Sequence, residues 1–145
     1  TAIRTSDTRY FVDPSIAVAA LGITPDKLMH DMNTFGLLFE TMAVRDLRVY
    51  ADAIDAKVYH YRDKDELECD AIIERRDGSY GLVEIKLGGD YAVSEAQITL
   101  NALAKKINTD KVGKPSFRMV LTAIGKYALR LEDGTLVVPI GCLRH

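Results

Sequence analysis

Apolar residues change their spacing several times along this chain, and each change marks an element. Asp13-Pro14 reads as a helix N-cap and first helical residue, with Gly22 as the stop, which predicts a short helix over 15–21. Thr24-Pro25 repeats that signal for a second short helix ending near Asp31. Asn33 is placed to cap a longer helix from about 34 to 54, in which Leu37, Val44, Leu47, Ala51 and Ile54 recur with helical period. The period then falls to two. Residues 57–62, with Val58, Tyr59 and Tyr61, predict a strand, and 67–75 and 80–87 predict two more joined through Arg76-Asp77-Gly78-Ser79. After Gly88-Gly89, residues 91–108 return to helical spacing, with Val93, Ala96, Leu100, Leu103 and Ile107 on one face. Strands at 117–123, 127–131 and 136–140 close the chain, the last two joined at Glu132-Asp133-Gly134-Thr135. That order predicts a layered α/β or α+β domain.

One carboxylate breaks the pattern of the long helix. Glu40 falls in the apolar stripe, three residues after Leu37 and four before Val44. An ionised carboxylate facing a core costs several kcal/mol unless a cation or hydrogen bonds offset it. A buried ion pair, or a helix rotated so that Glu40 reaches water, would account for it without any function. A second anomaly lies in the hairpin. Glu84 and Lys86 share one face of a strand with Leu82, while Val83 and Ile85 point the other way, so the strand is apolar on both sides. On the partner strand, Asp70 interrupts the apolar run that continues as Ala71-Ile72-Ile73. A three-residue loop with Gly at its left-handed position, or one register step from it, sets Asp70 opposite Glu84 or Lys86. A two-residue turn would send Asp70 to the other face.

Asp70 and Glu84 supply the hard oxygen ligands that Mg²⁺ or Mn²⁺ takes, and the Ile85 carbonyl can add another. Such a cation lowers the pKa of bound water and neutralises charge on a phosphorane-like transition state. Lys86 can orient that water or stabilise the developing oxyanion, and Glu40 can complete the metal shell or a second, weaker position. An acid-x-Lys pair alone is more often a solvated charge pair. The reading requires the Glu40, Asp70 and Glu84 carboxylates to converge within a few ångströms.

Composition narrows the setting. The chain has 145 residues, 48% hydrophobic and 28% charged, with a net charge of −2, which suits one domain with one core and excludes a disordered tail. No apolar run is long enough to span a bilayer, so no membrane partner is expected. Cys69 and Cys142 have no second Cys or His at ligand spacing, which points to two reduced thiols in a cytoplasmic protein. Thr1 in place of an initiator Met suggests a piece of a longer protein, and no phosphate-binding glycine loop occurs in it. Near-neutral charge argues against blanket coating of DNA, so nucleic acid, if engaged, should bind this chain weakly. Glu40, Asp70, Glu84 and Lys86 together carry the same net −2 as the whole chain.

Asp70, then Glu84-Ile85-Lys86, preceded by a helical Glu40, resembles the signature of the PD-(D/E)xK nuclease-like superfamily. More narrowly, the chain resembles the C-terminal domain of unknown function of a prokaryotic AAA-type ATPase family. Arg9-Tyr10-Phe11-Val12-Asp13, Gly36-Leu37-Leu38-Phe39-Glu40 and Tyr59-His60-Tyr61-Arg62-Asp63 carry the likeness, with Glu68-Cys69-Asp70-Ala71-Ile72-Ile73-Glu74, Leu82-Val83-Glu84-Ile85-Lys86-Leu87-Gly88 and Asp133-Gly134-Thr135-Leu136-Val137-Val138-Pro139. The resemblance implies an α/β fold with a restriction-endonuclease-like core, a central mixed sheet flanked by helices, over 1–145 as a single domain. It also implies an upstream ATPase module in the same chain, and either a metal-dependent nuclease or an inactive docking or nucleic-acid-binding relative. Cys69 stands where the superfamily's proline would be. Gln97 matches a glutamine of some relatives, but Asn101 stands where their tyrosine would follow; as the polar edge of an amphipathic helix, Gln97 needs no such role.

The remaining polar and aromatic residues read more plainly. His30, His60 and His145 have no mutual metal-binding spacing. Tyr59 and Tyr61 share one side of their strand, and a core layer accounts for them better than base stacking. Arg75 and Arg76, Lys105 and Lys106, and Lys111 with Lys114 are solvated clusters unless two of them flank the acids, where they would form a phosphate-tracking groove.

Overall fold

The computed structural model describes residues 9–107 and 109–144; Thr1, Asn108 and His145 lie outside them. The elements run α1 (Pro14–Leu21), α2 (Pro25–His30), α3 (Met32–Ala53), β1 (Ala56–Arg62), β2 (Glu68–Arg75), β3 (Tyr80–Lys86), α4 (Asp90–Lys106), α5 (Thr109–Val112), β4 (Phe117–Thr122), β5 (Leu129–Arg130) and β6 (Leu136–Pro139), with a 3-10 turn at Ile140–Cys142. Local chemistry sets the helix starts. Asp13 accepts from the Ser15 amide with Pro14 following it, Thr24 accepts from the Lys27 amide, and Gly22 ends α1 in the left-handed region. The cap of α3 is Asp31 rather than Asn33. Its carboxylate accepts from both the amide and the hydroxyl of Thr34, and a charged acceptor at a helix N-terminus outcompetes a neutral one.

Six strands form one mixed sheet in the order β1-β2-β3-β4-β6-β5. The β1–β2, β2–β3 and β5–β6 pairs are antiparallel, whereas β3–β4 and β4–β6 are parallel. A parallel neighbour needs a crossover, and α4 supplies it between β3 and β4. The sheet separates two cores. Phe39, Ala43, Val44 and Leu47 of α3 pack on Ala71, Val83, Ile85, Met119 and Leu121. On the other face, Ala96, Leu100 and Leu103 of α4 pack on Tyr80, Leu82 and Val120, with Cys69 among them. Central strand β3 is therefore covered on both sides. This is the α/β architecture with helices flanking a mixed sheet that the chain's patterning and resemblance led us to expect.

Some expectations fail at the edges. Leu37 is 66% exposed and Ile54 is also exposed, because the buried face of α3 centres on Phe39, Ala43, Leu47 and Ala51, a stripe rotated away from Leu37. Tyr59 does not fill a core layer. Only Tyr61 packs against the α4-side core; Tyr59, paired with Ile72 nearer the hairpin end of β2, is 46% exposed. The strand expected at 127–131 shortens to Leu129–Arg130, an exposed edge pairing only with β6. The four-residue α5 is too short to show a period. Cys69 and Cys142 are both free thiols. Cys69 is buried and donates to the carbonyls of Ala71 and Val83, and burial pushes its thiol up to about 12.

Gly81 shows how closely β3 and β4 approach: it pairs with Phe117, and a Cβ there would run into the Phe117 ring. Gly81→Ala should cost about 1–3 kcal/mol by overpacking. Adding Phe117→Leu should recover most of that loss in urea unfolding.

Candidate active site

The hairpin geometry decides where Asp70 goes. Arg75 donates to the Ser79 carbonyl, leaving Arg76-Asp77-Gly78 as a three-residue loop with Gly78 at φ +83°. The ladder then runs from Glu74↔Tyr80 to Ala71↔Val83, a register that carries Asp70 toward Glu84. Beyond the last pair, the Ile85 amide donates to Oδ2 of Asp70 at 2.7 Å. A side-chain carboxylate thus closes the ladder at this end of β3.

Lys86 joins the two acids. Its Nζ lies 2.8 Å from Glu84 Oε2 and 3.8 Å from Asp70 Oδ2. Glu84 is only 4% exposed. Burial, reinforced by the Asp70 charge and partly countered by Lys86, pushes its carboxyl up to about 7. Burial also raises Asp70, against the pull of Lys86 and of the Ile85 amide. For Lys86, burial works against the charge, but Asp70 and Glu84 outweigh it and raise its pKa, so the ammonium persists. Glu66, Leu67, Glu68 and Thr99 complete a cavity of about 200 Å³ around this group.

Glu40 arrives from α3 and is half-buried. Its Oε1 accepts from the Tyr10 hydroxyl at 2.8 Å, and burial and the Asp70 charge raise its pKa against that hydrogen bond. Asp13–Arg45 ties the same N-terminal segment to α3, and the Arg48 guanidinium lies 6.0 Å from the Tyr10 ring centroid. Lys86 and Ile85 border the groove that holds Glu40, so the three acids surround one lysine from two sides. Among the described residues, no three His, Cys, Asp or Glu side chains stand together as a metal-holding group. The expected convergence therefore reaches Asp70 and Glu84 at Lys86, with Glu40 engaged by Tyr10.

Other expected features go elsewhere. Gln97 and Asn101 both hydrogen-bond Asp133, with Asn101 also accepting from Arg118, so they brace the β5–β6 turn. The basic clusters do not flank the acids. Arg75 pairs with Asp77 and Arg76 with Asp55, while Lys106 reaches Asp63 and Asp65, both at 2.6 Å. Lys105 and Lys114 border a cleft with Phe117, which pairs with Gly81 at the opposite end of β3 from Lys86. Sequence reasoning assigned no role to Tyr10 or to Glu68, whose Oε1 lies 2.7 Å from Nε2 of His60. Glu68 carried one usable signal, its period-2 spacing from Asp70. Tyr10 carried none, being thirty residues from its partner.

A profile of the family described as Domain of unknown function (DUF4143) matches residues 35–143. No curated protein and no solved structure matches the chain.

A carboxyl raised from 4.5 to about 7 binds its proton more tightly folded than unfolded. Its stabilising effect is full below pH 4.5 and is lost as pH rises through 7. Glu84→Gln should therefore be more stable than wild type at pH 8, by on the order of 1–3 kcal/mol, and equal to it near pH 4.5, read by urea unfolding at both pH values. Tyr10→Phe removes the bond that lowers Glu40, so the Glu40 carboxyl should titrate higher by NMR.

Proposed function

The chain belongs to the DUF4143 family, and from its acidic site we propose that it is a metal-dependent nuclease-like domain acting on nucleic-acid phosphodiesters. We read it as a PD-(D/E)xK-type module placed C-terminally to an AAA-type ATPase. The observation that carries the activity is the Asp70–Lys86–Glu84 group at the end of a doubly covered strand. A lone surface charge pair does not bury a glutamate to 4% exposure beside a second acid whose side chain is 11% exposed.

Asp70 and Glu84 are carboxylates of the kind Mg²⁺ or Mn²⁺ takes. Mg²⁺ keeps several waters and takes one or two carboxylates plus substrate phosphate, so in this reading Asp70 and Glu84 would hold it without the Glu40 carboxylate that the sequence pattern includes. When bound, the cation supplies a more acidic water and neutralises phosphoryl charge. Lys86 stays protonated, so it stabilises charge on the phosphoryl oxygens rather than taking a proton. Glu84 exchanges its proton near neutral pH and its free carboxylate is what a cation needs, so proton and cation compete for it.

A second reading, a non-catalytic docking or nucleic-acid-binding domain for the ATPase, is favoured by one observation. Glu84 and Asp70 are already paired with Lys86 and Glu40 with Tyr10, so a cation must displace existing bonds.

Calorimetric titration with Mg²⁺ or Mn²⁺ should show binding that strengthens as pH rises through about 7 and vanishes in Asp70→Ala. Cleavage of DNA or RNA should fall by roughly 10²–10³-fold in Lys86→Ala. Neither binding nor cleavage in the wild type would overturn the nuclease reading and leave the accessory one.

A further inference from the structure

Beside the acidic cavity runs a second groove of about 430 Å³, lined by Met32, Asn33, Gly36 and Leu37 of α3 and by Ile85 and Leu87 opposite them. Glu40 and Lys86 also line it. Lys86, which pairs with both acids, lines this groove as well as the acidic cavity.

Two features of this groove are unexplained by the fold. Met32 and Leu37 are exposed apolar side chains on its wall. Gly36 lies inside α3, where glycine costs roughly 0.5–1 kcal/mol relative to alanine. Nothing in the packing demands it: a Cβ there would meet only Leu87 Cδ1, at 4.0 Å, an ordinary contact. Nor does Gly36 have a positive φ. The missing side chain keeps the slot between α3 and Leu87 open.

We propose that this groove receives the nucleoside next to the phosphodiester held at Lys86. The inference rests on the nuclease reading above and names the part of the substrate that reading leaves unplaced. A nucleoside couples a flat apolar base to an anionic phosphate. Apolar walls at Met32, Leu37 and Leu87 match the base, the polar Asn33 a base edge, and the Lys86 ammonium, with the Glu40 carboxylate also on the lining, the phosphate. Its size falls within the range of about 300–1,000 Å³ usual for small-ligand pockets. Apolar walls read the face of any base, so the groove favours single-stranded or locally opened nucleic acid over intact duplex.

Gly36→Leu fills the slot with a good helix former and tests the assignment in the full 145-residue chain. Binding of a short fluorescent single-stranded oligonucleotide with Mn²⁺ should weaken at least tenfold. The melting temperature should hold or rise, and the Mn²⁺ affinity should not change. Leu37→Ser, on an exposed wall position, should weaken the oligonucleotide without affecting folding. Wild-type affinity for the oligonucleotide in both variants would overturn the groove assignment alone and hand the slot to a protein partner. A wild-type chain that binds neither Mn²⁺ nor oligonucleotide would overturn the nuclease reading and the groove with it.

Discussion

Glu84 sits inside the most covered strand of the sheet, and the Lys86 ammonium 2.8 Å away is what makes that burial tolerable. An isolated carboxylate there would have to leave the core or stay protonated. Even with the lysine, burial and the neighbouring Asp70 hold the Glu84 carboxyl near neutral pH. The rest of the site is arranged around this compromise. Asp70 takes the Ile85 amide, Glu40 takes the Tyr10 hydroxyl, and each acid so placed is partly satisfied before any ligand arrives.

The surrounding fold offsets the cost. Leu82, Val83, Leu100, Leu103, Val120 and Leu121 are all fully buried, and a buried aliphatic side chain of this kind contributes about 1.5–3 kcal/mol. A few such residues outweigh the penalty of one strained acid pair. They also make it rigid, because a close-packed core leaves the end of β3 little freedom to relax. The same construction makes Lys86 the hinge of the functional reading. It pairs with Asp70 and Glu84, borders the acidic cavity, and also lines the groove beside Gly36 and Leu37.

Charge distribution bears on partners as well. Arg75, Arg76 and Lys106 are paired with nearby acids, and the cleft bordered by Lys105 and Lys114 lies at the far end of β3. Near the acidic site stand the bases Lys86, Arg62 beside Glu68 and Arg48 over the Tyr10 ring. Among the described residues, no helix is long and apolar enough to cross a membrane.

Much of this was legible along the chain because it depends on local periodicity and local turn chemistry. The α4 stripe of Ala96, Leu100 and Leu103, the doubly apolar β3 and the Gly78 loop are written in spacings of two, three and four residues, and they place Asp70 and Glu84 on adjoining strands. What spacing could not decide was how each helix is rotated on the sheet and which distant side chains meet. A small rotation moved Leu37 from the core into a groove wall. Tyr61 packs against the α4-side core while Tyr59 on the same strand stays exposed. Tyr10 reached Glu40 across thirty residues. Sequence by itself determined which residues are charged, which are apolar and that the strands of the two hairpins, β2–β3 and β5–β6, adjoin, since those follow from side-chain chemistry, alternation and turn residues. Only the tertiary structure decided that Lys86 would stand between two acids while Tyr10 held the third, because that outcome comes from packing the two cores at once.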